Sequence, residues 1–366
     1  MTQTHSTAST LLSINALHEI EEKMASLGLP FPENFARALV GLLSGKKITL
    51  HEVANLMPGE KRHDANRQQV RRNLDHPRMQ GQVWSKSIAP LLPKGAWVLA
   101  LDRTTWERGT TVINLLVLAV VVHGCAVPLL WTVMPETGNS DTKERIELMQ
   151  QFLDLFGAKR WRFLTADREF IGKNWISWLQ EKKLAFRIRI KAGEYLTHGD
   201  GRRLRAWEFF AQVSCRCKSR RMKLWGLDVF VGGKRLLSND FLIVISSHYV
   251  NDSTNDVLSE YRLRWKIETL FQALKGRGFD LESCRLSQET RLSGWFGFLA
   301  LGLCWCLKVG TLLDEHFPLP LKNHGRRAVS VFHRGVQEVQ CHLCRLAGRR
   351  GNLPVGRLLQ ELNPVC

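Results

Sequence analysis

The sequence predicts a mixed-sheet α/β core flanked by helical segments, and three observations carry that prediction. Between residues 97 and 190, apolar runs of strand length alternate with segments of helical periodicity. The first 82 residues show no strand-like alternation. Beyond Leu292 the pattern is mostly helical again.

Taken in order, Leu11 to about Gln82 reads as short helices, among them Asn34 to Leu43 and Leu50 to Met57, followed by the basic Lys61-Arg62, Arg67 and Arg71-Arg72. Leu91-Leu92-Pro93-Lys94-Gly95 is a punctuated joint. Trp97 to Leu101 is a short apolar strand ending in Asp102, and Val112 to Val122 and Ala126 to Met134 are strands joined by the hairpin turn His123-Gly124-Cys125. Asp141 to Phe156 carries Ile146, Met149, Phe152, Leu153 and Phe156 at helical spacing. Trp161 to Ala166 is a strand, followed by Asp167, a helix from Arg168 to about Lys183, and a strand from Leu184 to Ile190. Lys191 to Arg235 is strand-like, rich in turn residues and heavily basic; Phe241 to Ser246 resumes a buried strand, and Asn255 to Lys275 reads as one long helix.

Charge narrows the function. With 52 Lys and Arg against 34 Asp and Glu, the net charge is +18 and the pI about 9.8. An excess of this size points to a polyanionic partner, nucleic acid first, because Lys and Arg that neutralise phosphates release condensed counterions. An acidic membrane surface is the weaker reading. The apolar stretches Leu115 to Val122 and Gly294 to Leu307 fall short of the roughly 20 residues that span a bilayer. The N-terminus lacks a basic segment followed by an apolar one, so no secretory signal is expected and the cytoplasm is the expected compartment. Nine cysteines, an odd number, suit reduced thiols. Cys341-His342-Leu343-Cys344 has the look of half a metal site, but the nearest other pair, Cys304 and Cys306, lies in an apolar run, so a four-ligand zinc centre is not favoured. His123, His198 and His333 are isolated and read as structural or solvated.

Asp102 and Asp167 each follow a strand, and on neighbouring strands their carboxylates would project from one sheet end as hard oxygen ligands for divalent cations. Each alone would serve a turn or a helix cap equally well. The helix over 255–275 adds to them. Tyr261, Arg264, Glu268 and Lys275 stand at i, i+3, i+7 and i+14, within an arc of roughly 60°. Leu263, Ile267, Leu270, Phe271 and Leu274 fill the adjoining arc. A solvated face is the ordinary reading of charges beside an apolar stripe, but it does not explain a stripe this basic in a chain that already offers two strand-end aspartates.

Tyr261-x2-Arg264-x3-Glu268-x6-Lys275 resembles the Tyr-Arg-Glu-Lys signature of bacterial transposases of the insertion-sequence-four family, in the Asp-Asp-Glu superfamily. Asp102-Arg103-Thr104 with Trp106, Gly138-Asn139-Ser140 with Arg145, Ala166-Asp167-Arg168-Glu169-Phe170 and His324-Gly325-Arg326-Arg327 agree with it, and the match runs from about Trp97 to about Gly335. The resemblance implies a ribonuclease-H-like core, with Asp102 on the first strand, Asp167 after the fourth and Glu268 on a helix beyond a β-rich insertion. The expected organisation is a helical DNA-binding domain over 1–95, a catalytic domain over 96–315 interrupted by the basic insertion at about 191–237, and a basic helical segment over 316–366.

The implied function is cut-and-paste DNA transposition: binding of transposon ends, metal-dependent strand cleavage and strand transfer. Phosphodiester cleavage needs a deprotonated water, a clamp on the scissile phosphate and stabilisation of the leaving oxygen, which two Mg²⁺ ions about 4 Å apart supply between carboxylates. Asp102, Asp167 and Glu268 are the expected metal ligands, with Mn²⁺ able to substitute. Tyr261, Arg264 and Lys275 are expected to hold terminal phosphates, and Arg216, Lys218, Arg220 and Arg221 of the insertion to contact duplex DNA. Trp207 and Trp225 are expected in the core. The expected partners are double-stranded DNA, as terminal inverted repeats and target, and a second copy of the chain on that DNA; no membrane or small-molecule partner is expected, and the nucleoid is the expected location. Two rivals share parts of this pattern. A host nuclease would keep the acids without the Tyr-Arg-Glu-Lys stripe, and a non-catalytic DNA-binding relative would keep the basic surface while free to lose the acids.

Overall fold

Ten strands form one mixed sheet in the computed structural model, which describes residues 31–343 apart from 32–33, 46–48, 60–61, 80, 110, 135–137, 212–218, 249–255, 277 and 324–326. They are β1 (Trp97–Arg108), β2 (Thr111–Val121), β3 (Ala126–Met134), β4 (Trp161–Ala166), β5 (Phe186–Arg189), β6 (Tyr195–His198), β7 (Arg203–Arg205), β8 (Arg220–Leu224), β9 (Leu227–Arg235) and β10 (Phe241–Ser246). Their order is β3-β2-β1-β4-β5-β10-β9-β8-β6-β7. β4 runs parallel to β1 and to β5, and the other pairs are antiparallel. Leu115 to Val120 of β2 are all fully buried, the continuous apolar pattern of a strand covered on both faces.

Helices cover the sheet. α1 (Phe35–Ser44), α2 (Leu50–Leu56), α3 (His63–Asp75) and α4 (Val83–Ile88) precede it. α5 (Thr142–Phe156), opened by a capping box between Asp141 and Glu144, connects β3 to β4, and α6 (Lys173–Glu181) connects β4 to β5. α7 (Ala206–Phe210) lies among the outer strands, and α8 (Val257–Tyr261) and α9 (Trp265–Leu274) follow β10. α10 (Glu289–His316) and α11 (Val331–Leu343) come last among the described residues. α10 is long and apolar enough to cross a membrane by length and composition, but 83% of its most apolar window is buried inside the protein. It serves as the post around which the N-terminal helices and α11 pack. Phe35 meets Phe298 edge-on at 5.3 Å, and Trp84 lies against Gly297, where a Cβ would come within 2.4 Å of the indole. Gly335 lets α11 touch α10 backbone to backbone, since a Cβ there would stand 1.8 Å from the Cys306 carbonyl oxygen.

Four expectations need correction. The helix over 255–275 is not continuous: a 3₁₀ turn, Arg262–Arg264, separates α8 from α9. Asp102 does not end a strand, because β1 continues to Arg108 with Thr104 and Trp106 buried and Thr105 and Glu107 exposed, a period-2 alternation that the apolar run alone did not reveal. The helix after Asp167 starts at Lys173, beyond an intervening turn, so Asp167 is not its cap. Trp207 is 39% exposed on α7, a helix where the sequence reads as strand, while Trp225 is half-buried against the core. The insertion's strands do not form a separate layer; through β10 they extend the main sheet. The described cysteines, Cys125, Cys284, Cys304, Cys306 and Cys341, are free thiols, and burial pushes Cys125 and Cys304 up to about 12. Cys344, and the helices expected before residue 31, lie outside the described residues.

Candidate active site

The parallel pairing of β1 and β4 ends at Leu101 opposite Ala166. The next residue on each strand is an aspartate, Asp102 on β1 and Asp167 beyond β4, so the register alone brings the two together. Each accepts a hydrogen bond from the amide that follows it, Arg103 at 2.9 Å and Arg168 at 2.8 Å.

The broken helix brings the other groups to them. In a 3₁₀ turn, side chains at i and i+3 eclipse, whereas α geometry would set them about 60° apart. Tyr261 and Arg264 therefore point the same way, into the protein rather than to solvent, and both are buried. The Tyr261 hydroxyl donates to Asp167 at 3.3 Å. Arg264 donates through Nη1 to Asp102 at 3.1 Å and through Nη2 to Glu268 at 2.5 Å. One guanidinium thus joins the carboxylate on β1 to the carboxylate on α9. Lys275, just beyond α9, donates to the Thr105 carbonyl of β1 at 2.8 Å and pairs with Glu282 at 3.0 Å. The four signature residues converge on β1 and β4; Glu268 remains about half exposed, on the open side.

Three further cations hold this arrangement from behind. Arg145 on α5 is buried and donates to the Ser140 hydroxyl and carbonyl and to the carbonyls of Glu169 and Ile171, fixing the turn after Asp167 against the segment before α5. Arg103 pairs with Glu169 at 3.1 Å and also donates to the Gly138 carbonyl. Arg187 of β5 makes a 2.5 Å ion pair with Glu260 of α8, and both are largely buried. Arg103, Arg145 and Glu169 lie within the segments that carry the family resemblance, whereas Arg187 and Glu260, 73 residues apart, gave no local signal. Of the insertion residues, Arg220 and Arg221 are exposed on β8, four strands beyond β4 and on opposite faces of the sheet. Arg216 and Lys218 lie outside the described residues.

The electrostatics suit a cation. Burial pushes Asp102 up to about 6, with the charges of Glu169 and Asp167 adding to it and Arg264 opposing. Burial works against the charge on Arg264, but Tyr261, Asp167, Asp102 and Glu268 around it outweigh that and hold it protonated. Among the described residues no three His, Cys, Asp or Glu side chains are already gathered as a cage; Arg264 supplies the positive charge between Asp102 and Glu268. The donors are all carboxylate oxygens, the set that hard divalent cations take, so the residues present fit such an ion.

Two strand aspartates joined through an arginine to a helix glutamate, on a chain this basic, form a candidate site for nucleic-acid strand processing. Residues 93–305, more than half of the chain, match the family model described as the transposase DDE domain, and the chain belongs to that family. It is a metal-dependent DNA transposase. Among solved structures the chain is similar to the cryo-EM structure of the piggyBac transposase synaptic complex with hairpin DNA, at 11% identity over 97% of this chain and 85% of that one, with a TM-score of 0.45. No curated protein matches the chain.

Proposed function

We propose that the protein is the transposase of an insertion sequence, moving it by cut-and-paste recombination, with Asp102, Asp167 and Glu268 as the acids that hold its metal ions. The observation that carries this reading is the pair of aspartates directly after the last paired residues of adjacent parallel strands, tied to Glu268 through Arg264. The order β3-β2-β1-β4-β5, with β2 alone running against the other four, supports a ribonuclease-H-like core spanning about 96–315. The segments over 1–95 and 316–366 are then accessory DNA-binding parts.

Mg²⁺ is the proposed ion, two per site, with Mn²⁺ as a substitute. When bound, it activates water or a 3′-hydroxyl as nucleophile and neutralises charge on the scissile phosphate. The three carboxylates hold the ions. Tyr261 donates to Asp167 and fixes its orientation. With Asp102 serving a bound cation, Nη1 of Arg264 would be free to donate to a phosphate oxygen in its place. Lys275 holds the neighbouring phosphate as a point charge. Water attacks the phosphate at a transposon end, and the freed 3′-hydroxyl then attacks target DNA. The partners are the terminal inverted repeats, target DNA and a second copy of the chain on DNA, in the nucleoid.

The test is cleavage of DNA carrying the inverted repeats that flank the gene, in Mg²⁺. Asp102→Asn, Asp167→Asn and Glu268→Gln each keep side-chain shape and remove a ligand charge, so each should lose cleavage by more than about 100-fold, or about 2.7 kcal/mol of barrier, while still binding DNA. Activity within tenfold of the parent in any of the three removes that residue from the set. Absence of inverted repeats around the gene overturns the insertion-sequence reading.

A further inference from the structure

The outer strands of the sheet carry an uncovered basic face. In cross-strand register Tyr195 stands opposite Arg205, and Thr197 opposite both Arg203 and Lys223. Side chains in such register share a face, and those at i and i+2 of one strand share it too, which adds Arg221. The opposite face of the same strands is buried: Leu196, Met222 and Leu224 are at most 2% exposed, and Phe210 of α7 packs there against Gly233. On the outward face Arg203, Arg205, Arg221 and Lys223 are exposed, and the one acid in that register is Asp228, 3.5 Å from Arg221. The guanidinium groups of Arg203 and Arg205 lie 5.0 and 5.5 Å from the centre of the Tyr195 ring. The ring therefore orders the two cations instead of offering a free surface for stacking.

The same parity leads back to the acids. Arg221 pairs with Phe230, Phe230 with Ser246, Ser246 with Arg187, and Arg187 with Thr165. Thr165 is two residues before Asp167, and its hydroxyl donates to the Tyr261 carbonyl. The basic strip and the acids thus belong to one face of one sheet. Five strand spacings separate β4 from β6, about 24 Å at about 4.8 Å each, along a surface that turns by roughly 20–25° a step.

We propose that this face, centred on Arg203, Arg205 and Lys223, grips the phosphate backbone of duplex DNA flanking the strand held at the acids. The inference rests on the transposase reading above and adds the place where the flanking duplex lies. Charge complementarity selects the occupant: cations on β7 and β8, the two strands that flank β6, with Asp228 the single acid in their register among the described residues, suit a polyanion. The guanidinium-covered ring favours backbone over unpaired bases. A span of about 24 Å corresponds to about seven base pairs at 3.4 Å each, so these cations act on flanking DNA and not on the cleaved phosphate.

The experiment measures binding of a 30-base-pair duplex of arbitrary sequence by fluorescence anisotropy across a range of salt. Arg203→Ser/Arg205→Ser is compared with Lys182→Ser/Lys183→Ser, which removes the same charge from exposed residues beyond α6; circular dichroism checks that both variants fold. The slope of log K on log salt should flatten by about 0.9 for each phosphate that is no longer neutralised, hence by about 1–2 in the first variant, with no change in the second. Equal slopes in the two variants, or an unaltered slope in the first, overturn the proposal. A wild-type protein that neither binds nor cleaves DNA overturns the transposase reading as well; a wild-type protein that cleaves, beside a first variant with an unaltered slope, overturns this surface alone.

Discussion

Cations are treated in opposite ways at the two ends of the sheet. Around β1, β4 and β5, Arg145, Arg187 and Arg264 are buried, and each is committed to named carbonyl or carboxylate oxygens. On β7 and β8, Arg203, Arg205 and Lys223 stand in solvent. Burying an ion costs several kcal/mol unless it is paired, so the inner arginines exist to hold acids and turns in position. The outer ones, kept hydrated, remain available to a polyanion. The net charge of +18 is therefore not one property: part of it is internal scaffolding, and part is an interface.

The largest effect should follow from breaking an inner pair. Glu260→Ala leaves Arg187 buried without its carboxylate partner, beneath the helix that leads to Tyr261 and Arg264. Removing one partner of a buried pair costs about 3–5 kcal/mol, and chemical denaturation should show a loss of that size. Glu260→Gln, which keeps an acceptor oxygen, should lose less. A loss under about 1 kcal/mol for Glu260→Ala would mean that Arg187 reaches water, and the contrast between inner and outer cations would fail at this position.

Asp102 offers a sharper test, with the opposite sign. Burial raises its folded-state value from 3.8 to about 6, so between those values the folded protein binds the proton that the unfolded chain has released. Stability therefore falls as pH rises through that window, and the full penalty persists above it, about 3 kcal/mol by linkage. With divalent ions chelated, Asp102→Asn should be more stable than the parent at pH 8, and the difference should vanish near pH 4. On the proposed function the same substitution should abolish cleavage, in which case the site gives up stability for function. If the variant is less stable than its parent at pH 8, Arg264 compensates Asp102 in full and the site carries no unmet demand for a cation.

The sequence disclosed the inner end of the sheet better than the outer one. Trp161 to Ala166 and Phe241 to Ser246 match the observed strands residue for residue, because strands buried along most of their length need mostly apolar residues. Asp102, Asp167 and the signature stood out by position and spacing. The break at Arg262–Arg264 did not: apolar periodicity is the same on either side of one tightened turn, and its cause is tertiary, the pull of Tyr261 and Arg264 onto two strand ends. The Arg187 and Glu260 pair was invisible because nothing local marks partners so far apart in the chain. On the outer strands the basic residues were plain, but their division between faces depends on register, which separates Arg220 from Arg221 although they are neighbours in sequence.

The smallest expected effect is on the stability contributed by those outer cations. Arg221 lies 3.5 Å from Asp228, yet both are more than half exposed, and exposed ion pairs contribute at most about 1 kcal/mol and often nothing measurable. Arg221→Ser and Lys223→Ser should each change unfolding free energy by less than about 0.5 kcal/mol, within the scatter of a thermal melt. Set against a loss of several kcal/mol for Glu260→Ala, that separates the two kinds of cation by stability alone, before any DNA is added. A loss above about 1.5 kcal/mol for Lys223→Ser would show that its aliphatic stem is packed into the sheet. The outer face would then be structural as well as basic, and the salt dependence of its variants would have to be read together with their folding.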